Sequence, residues 1–435
     1  MKVVSKRSAH GWSTRLGYIL ATVGSAVGLG NYWRFPYVVG AHGGGGFIVA
    51  YIVLLITAGA PLLFLEMSLG KRFKTSFYQL LKKHRLGMLI VFPLLFGIVV
   101  MSYYVVLVGW TLNYALFALT GNLPTLDEYT QSYLTVPMMV TVLIISGSIV
   151  ALGVRGIERF VKLLIPLMVV LTVIILVYAL NLPGGTDGIE FMFTSNFDSL
   201  KDLQTWLLAM AQVTFSLSAG VGITLTYASY SKRSNPVVDA LAVSLSDLTI
   251  ALVAGMMIFA TVHAFGLNPG EGPELAFVTL PHIFNTMPMG HVIGGTFYFI
   301  LFIAGITSII AVVEYLYHNI HTIVGLERRT VVPVIMCLLF VLGLPVALGY
   351  TPMNFRCGGH PCLEMYDHYF VNLTVPVVIM LITVLGLLWN TEDFARFLQR
   401  YGLGRRTART VVLWVKTVLP LIAVVMFYQT IKNIL

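Results

Sequence analysis

Apolar residues fall in long blocks along this chain, separated by short connections rich in charge, glycine or proline. About twenty apolar residues in succession let a helix cross a bilayer. The blocks predict eleven such spans, near 15–40, 45–70, 88–118, 136–154, 159–182, 203–230, 237–266, 291–318, 331–350, 366–390 and 409–433. Two of them are spoiled in the middle. Span 1 carries Gly24, Ser25, Ala26, Gly28, Gly30 and Asn31; span 6 carries Ser216, Ser218, Ala219, Gly220 and Gly222. Each has a Ser-Ala pair followed by alternating glycines, and the two lie five spans apart, so the second enters the membrane from the opposite side. Gly24-xxx-Gly28 alone could be a close helix–helix contact through small residues. Two such segments in register, both with hydroxyl or amide neighbours, favour broken helices and an inverted repeat with a binding site at the midplane. Backbone left unpaired at that depth needs protein, a cavity or a bound ion or zwitterion to satisfy it.

The pattern therefore predicts an all-α polytopic membrane protein of one domain, 1–435, with repeats at 15–182 and 203–390 and a further helix at 409–433. Composition agrees, with 57% hydrophobic and 10% charged residues. The first apolar run follows Trp12-Ser13-Thr14-Arg15 without a small-residue cleavage site, which reads as a retained helix and not a signal peptide. The net charge of +9 is a topology signal and not a nucleic-acid footprint. Lys71, Arg72, Lys74, Lys82, Lys83, Arg85, Arg155, Arg159, Arg328, Arg329 and the run from Arg396 to Arg409 share one side with the N-terminus, whereas Asp127, Glu128, Asp187, Glu190, Glu271 and Glu274 lie opposite. This positive-inside bias places the N-terminus in the cytoplasm; the expected location is the inner (plasma) membrane of a prokaryote.

Smaller features are less telling. Cys337 reads as a small core residue. Cys357 and Cys362 share an outer loop with His360, compatible with a disulfide or, less completely, with metal. Gly43–Gly46 lacks the Gly-Lys-Ser/Thr of a phosphate loop and reads as a tight turn. The intramembrane acids Glu66 and Glu314 are expected to bond neighbouring backbone where helices break. No nucleophile–base arrangement suggests an enzyme, and no continuous polar face suggests a channel.

Five stretches carry a resemblance: GWSTRLGYILATVGSAVGLGNYWRFP, GGGGFIVAYIVLLITAGAPLLFLEMSLG, TYASY, LAFVTLP and AGITS. Together they resemble the neurotransmitter:sodium symporter family, whose bacterial members include the leucine transporter. The resemblance covers essentially every span and implies the 5+5 inverted-repeat fold with helices 1 and 6 unwound, and sodium-coupled import of a small molecule by alternating access. The family usually has twelve spans and this chain shows eleven.

Residue by residue, the resemblance implies two sodium sites. The first takes the Ala26 carbonyl, Asn31, Ser216 and Asp247; the second takes the carbonyls of Gly24, Val27 and Ala304 with the hydroxyls of Thr307 and Ser308. Asp247 would supply the negative charge that chloride-dependent relatives borrow, so no chloride requirement is expected. A location near the cytoplasmic end, facing water, is the alternative for Asp247, with Ser246 as the next candidate. A substrate carboxylate would meet the N–H groups of Leu29 and Gly30 and the Tyr104 hydroxyl, and its amino group the carbonyls of Ser25, Ala26, Phe215 and Ser218. Gly28 leaves room for that carboxylate where amine-transporting relatives carry an Asp.

Val100, Phe215, Val221, Ser308 and Val312 would line the side-chain pocket. They include no charged residue, so a neutral, hydrophobic or aromatic L-amino acid fits and a charged one would be costly to bury. Arg34 and Asp367 would close above a Phe215 lid, and Trp12 with Tyr227 would plug the inner side. The inner latch departs from the family, with Ala9 and Thr322 where a basic residue and an Asp are usual; Arg7, His318 or His321 could substitute. A membrane receptor that binds an amino acid without moving it is the competing reading. Oligomeric state is not legible in the sequence.

Overall fold

The computed structural model describes residues 11–194, 196–267 and 275–434. Almost all of it is helical. Among the described residues, strand is confined to the two-residue pair Arg356–Cys357 and His360–Pro361. In the first half α1 is Arg15–Ala26 and α2 Phe35–Ala41, α3 is Gly45–Phe73, α4 Phe77–Lys83, α5 Gly87–Thr120, α6 Thr135–Ala151 and α7 Val154–Leu180. In the second half α8 is Leu203–Ser216, α9 Ile223–Ser229, α10 Pro236–Ala264 and α11 Gly290–Val324. Then come α12 (Arg328–Gly349), α13 (Cys362–Leu388), α14 (Thr391–Gln399) and α15 (Arg405–Ile434).

Each predicted block falls on helix, and eight helices are long and apolar enough to cross a membrane among the described residues. The two spoiled blocks fall outside that group because they are broken. Span 1 becomes α1, an extended residue at Val27, a π-helical turn at Gly30–Arg34 and α2. Span 6 stops at Ser216 and resumes at Ile223. Between them Ser218, Gly220 and Gly222 take φ of 48°, 87° and 96°, and at the last two only glycine avoids a strained backbone. The sequence also sets several starts: Thr14 accepts from the Gly17 N–H, and Asn235 accepts from Val237 and Val238 ahead of a proline at the first helical turn.

α11 packs along α5 and against α1 and α7, and is the most deeply buried long helix. α7 turns Leu163, Val170, Val173, Ile174 and Val177 outward, as a lipid-facing helix does. Helix ends differ from the apolar boundaries. α11 continues past 318 to Val324, and α13 begins at Cys362 and not at 366. Helical hydrogen bonding continues beyond the hydrocarbon, so hydropathy locates the membrane better than it locates the last turn.

Two expectations are corrected. Cys337 is exposed on α12, since a peripheral span is apolar on its lipid face as well as its core face. Glu314 bonds no broken backbone. It pairs with Arg328, whose Nη2 donates at 2.8 Å, and accepts from the Tyr230 hydroxyl at 3.0 Å. Glu66 does sit at a break, accepting from the Gly222 N–H at 2.9 Å and from the Thr224 hydroxyl. Of the two readings of the outer cysteines, the disulfide is formed, between Cys357 and Cys362. Gly43 and Gly44, both at positive φ, make the turn before α3.

α3 and α9 touch backbone to backbone, because a β-carbon added to Gly70 would lie 2.1 Å from the Leu225 carbonyl oxygen. Neither helix can give way as a flexible side chain would. Gly70→Ala is expected to destabilise the folded protein by about 1–3 kcal/mol, read as a lower melting temperature in detergent; an unchanged melting temperature would contradict this close approach.

Candidate functional site

The centre of the site is a carboxylate. Asp247, mid-way along α10, is completely shielded from solvent, which removes the water-facing alternative; Ser246 next to it is only partly buried. The Asn31 amide nitrogen donates to its Oδ1 at 2.8 Å, the Ser216 hydroxyl lies 2.8 and 2.9 Å from its two oxygens, and the Tyr51 hydroxyl donates to Oδ2 at 3.1 Å. All three donors are neutral, and among the described residues no Lys or Arg pairs with Asp247. The helix breaks deliver two of these donors. The π-turn presents Asn31, whose Oδ1 accepts from the Gly28 N–H at 3.0 Å, and α8 ends on Ser216, which accepts from Asn31 at 3.0 Å.

Carboxylate, hydroxyl, amide and carbonyl oxygens are hard donors suited to an alkali or alkaline-earth cation. A buried carboxylate with only neutral partners is short of one positive charge. The residues present therefore fit a sodium ion, which Asp247, Ser216, Asn31 and the buried Ala26 would hold. Tyr51, the third donor, escaped sequence reasoning because a tyrosine in an apolar helix gives no cue to its partner.

A second oxygen cluster lies where the α1 break meets α11. A β-carbon on Gly24 would lie 3.3 Å from Cβ of Thr307, and one on Gly28 would lie 3.1 Å from Oγ of Ser308. Both hydroxyls bond back to their own helix, Thr307 to the Ile303 and Ala304 carbonyls at 3.1 and 3.0 Å and Ser308 to Ala304 at 3.2 Å. Each hydroxyl donates in those bonds, so its lone pairs remain open to a cation. Thr307, Ala304 and Val27 are buried there, and Gly24 with them.

A cavity of about 260 Å³ adjoins both clusters. Ala26, Gly30, Ser216 and Ser218 line it at the breaks, while Val100, Tyr104, Phe215, Val221, Ser308 and Val312 form its walls. Phe96, Met101, Ala211 and Thr214 also line it; they carry no sequence signal that separates them from ordinary core. Arg34 and Asp367 stand in the same cavity. Ser25 and Leu29 lie behind the wall. The Ser25 carbonyl accepts from the Ser218 hydroxyl at 2.8 Å, and the Leu29 N–H donates to the Tyr104 hydroxyl at 3.2 Å.

A family model described as the sodium:neurotransmitter symporter family matches residues 9–135 and 129–435. The chain belongs to that family. It is 31% identical to an uncharacterized sodium-dependent transporter of Methanocaldococcus jannaschii, over 88% of this chain and 82% of the relative. It is 28% identical to the uncharacterized sodium-dependent transporter YhdH of Bacillus subtilis, over 98% and 99%. Its fold matches the crystal structure of MhsT in complex with L-phenylalanine with a TM-score of 0.86 and 30% identity, covering 97% of this chain and 100% of that one. The chain is thus a sodium-dependent membrane transporter and not an enzyme.

In a symporter of this family the two faces matter most, and here they differ. On the N-terminal face Trp12 is buried, with its indole nitrogen on the Tyr227 carbonyl at 2.9 Å and its ring 5.0 Å from the Tyr227 ring. Arg15 pairs with the buried Asp239 at 2.7 Å. Glu158 on α7 accepts from the N–H groups of Ser13 and Thr14 at 2.6 and 3.1 Å, and Arg328, Glu314 and Tyr230 close the other side. Charge counting along the sequence gives Arg328 no more than an interfacial place. His318 packs edge-on against Tyr230, His321 contacts the Leu326 carbonyl, and Thr322 bonds back to His318; among the described residues none of the three forms an ion pair. Arg7 and Ala9 lie outside the described residues.

On the opposite face, Arg34 donates to Gln212 and the Tyr103 hydroxyl donates to Asp367 at 3.0 Å, so Arg34 and Asp367 do not pair in this conformation. Phe215, with 42% of its surface exposed, does not cover the cavity. Among the described residues, buried charged pairs hold the N-terminal face, and Arg34 and Asp367 leave the other face without such a pair. Arg15→Ala is expected to weaken the hold on the N-terminal face by about 1 kcal/mol, since the arginine is partly solvated, and to shift the population roughly fivefold towards opening on that face. Faster thiol labelling of a Ser218→Cys reporter from the N-terminal side checks it; an unchanged rate would count against that hold.

Proposed function

We propose that this protein is a sodium-coupled importer of neutral, hydrophobic or aromatic L-amino acids that needs no chloride and works by alternating access. One observation carries the reading: a fully buried carboxylate, Asp247, held by neutral donors at the junction of two broken helices, beside a cavity whose charged residues are only Arg34 and Asp367. Asp247, Asn31, Ser216 and the Ala26 carbonyl hold the first sodium ion. Gly24, Val27, Ala304, Thr307 and Ser308 hold a second. The substrate carboxylate meets Leu29, Gly30 and Tyr104, and the amino group meets the exposed carbonyls of the breaks. The L-phenylalanine complex of the solved relative supports an aromatic side chain among Val100, Val221 and Val312.

The repeats at 15–182 and 203–390 rock against one another, the N-terminus faces the cytoplasm, and the open cavity faces outward. Arg34, Asp367 and Phe215 then form the outer gate, and Trp12 with Tyr227 the inner plug. The substrate carboxylate and the first sodium ion complete one cluster, so each strengthens binding of the other by the same factor. Two sodium ions crossing ~100 mV with a tenfold gradient supply roughly 7 kcal/mol, enough for about 10⁵-fold accumulation at the limit.

The test is uptake of labelled amino acids into proteoliposomes with sodium outside and chloride absent. Accumulation of Phe, Leu or Trp but not Lys or Asp is expected, and binding without accumulation would favour a receptor instead. Asp247→Asn is expected to lower sodium affinity at least tenfold in chloride-free buffer, or to make uptake depend on chloride; unchanged sodium affinity without chloride would sink the role given to Asp247.

A further inference from the structure

A second cavity, of about 220 Å³, lies outside the transport pathway and shares no lining residue with it. It forms where the end of α3 and α4 meet the end of α13 and the start of α14, on the face that carries Arg15 and Trp12. Arg72, Lys83 and His84 line it, against the single carboxylate of Asp393. Asp393 already accepts from Arg396 at 2.8 Å, whereas Arg72 and Lys83 have no carboxylate partner among the described residues. Their cations lie 5.9 and 5.0 Å from the centre of the Phe73 ring, so both are drawn to one aromatic side chain. Lys416 adds positive charge at the same place, donating to the Leu387 and Trp389 carbonyls at 2.9 and 2.6 Å.

Two cations lining one cavity, whose single carboxylate is already taken by Arg396, ask for an anion. The setting says which kind. Trp389 lines the cavity just past the end of the apolar helix α13, and Leu387 and Leu388 beside it are exposed. We propose that this cavity binds the phosphate of an anionic phospholipid, with Arg72 and Lys83 on the headgroup and the acyl chains along the exposed leucines. Basic pockets between spans on the cytoplasmic side suit such headgroups. Inorganic phosphate offers the same anion without the chains.

The test is a thermal-shift titration of the purified full-length protein in neutral detergent with short-chain phosphatidylglycerol, phosphatidylcholine or inorganic phosphate. A saturable rise in melting temperature with phosphatidylglycerol alone is expected. Arg72→Ala/Lys83→Ala should raise the midpoint of that titration roughly thirtyfold, two charges being lost. Arg400→Ala/Arg406→Ala, which removes as much charge elsewhere on the same side, should leave it unchanged, and Arg72→Lys/Lys83→Arg should keep it within a few-fold. An equal loss in both alanine pairs, an equal response to phosphatidylcholine, or an equal response to inorganic phosphate would each overturn the proposal.

Discussion

Four segments meet at Asp247. Its own helix is α10; Asn31 comes from the π-turn between α1 and α2, Ser216 from the last turn of α8, and Tyr51 from α3. Three neutral hydrogen bonds replace part of the hydration that burial removed, but none supplies the missing charge. A cation at this junction would therefore act on the mutual attraction of all four segments. The broken helices follow from the same constraint. An intact helix keeps its carbonyls for itself, and only a chain that opens can offer oxygens at membrane depth while its freed groups find partners. Glu66 provides one such partner, taking the Gly222 N–H at the second break.

The inequality of the two faces has an electrostatic basis. The N-terminal face is held by charged pairs with at least one buried member, Arg15 with Asp239 and Arg328 with Glu314. Removing one partner of such a pair leaves a buried charge uncompensated, which is costly. The opposite face is held by Arg34 and Asp367 in separate bonds to Gln212 and Tyr103. Exchanging those for a bond to each other replaces polar contacts with a polar contact, so little separates the open and closed arrangements there. Side-chain chemistry thus holds one face more firmly than the other.

The spans were legible because lipid imposes a single requirement, apolar surface over a fixed length, that a linear chain displays directly. The two breaks were legible because Ser-Ala and the alternating glycines interrupt that requirement twice, in matching places. The structure breaks both helices there, with positive φ at Gly220 and Gly222. Asp247 stood out for the same reason, as a charge where charge is expensive. Cys337 did not, because an apolar helix is alike on the face it buries and the face it shows to lipid.

What stayed hidden were the pairings. Arg15 with Asp239 spans 224 positions, Glu158 with Thr14 spans 144, and Tyr51 with Asp247 spans 196. Nothing local marks such partners, since a side chain in isolation shows its capacity for a bond and not the atom that meets it. Nor could the sequence say whether Arg34 meets Asp367, because both residues have a second partner within reach and the choice belongs to the conformation. Composition and interruption thus determined the membrane architecture and the two helix breaks. Tertiary structure decided which oxygens surround the carboxylate and which face of the protein is held by buried charged pairs, because both depend on distances between helices that no stretch of sequence contains.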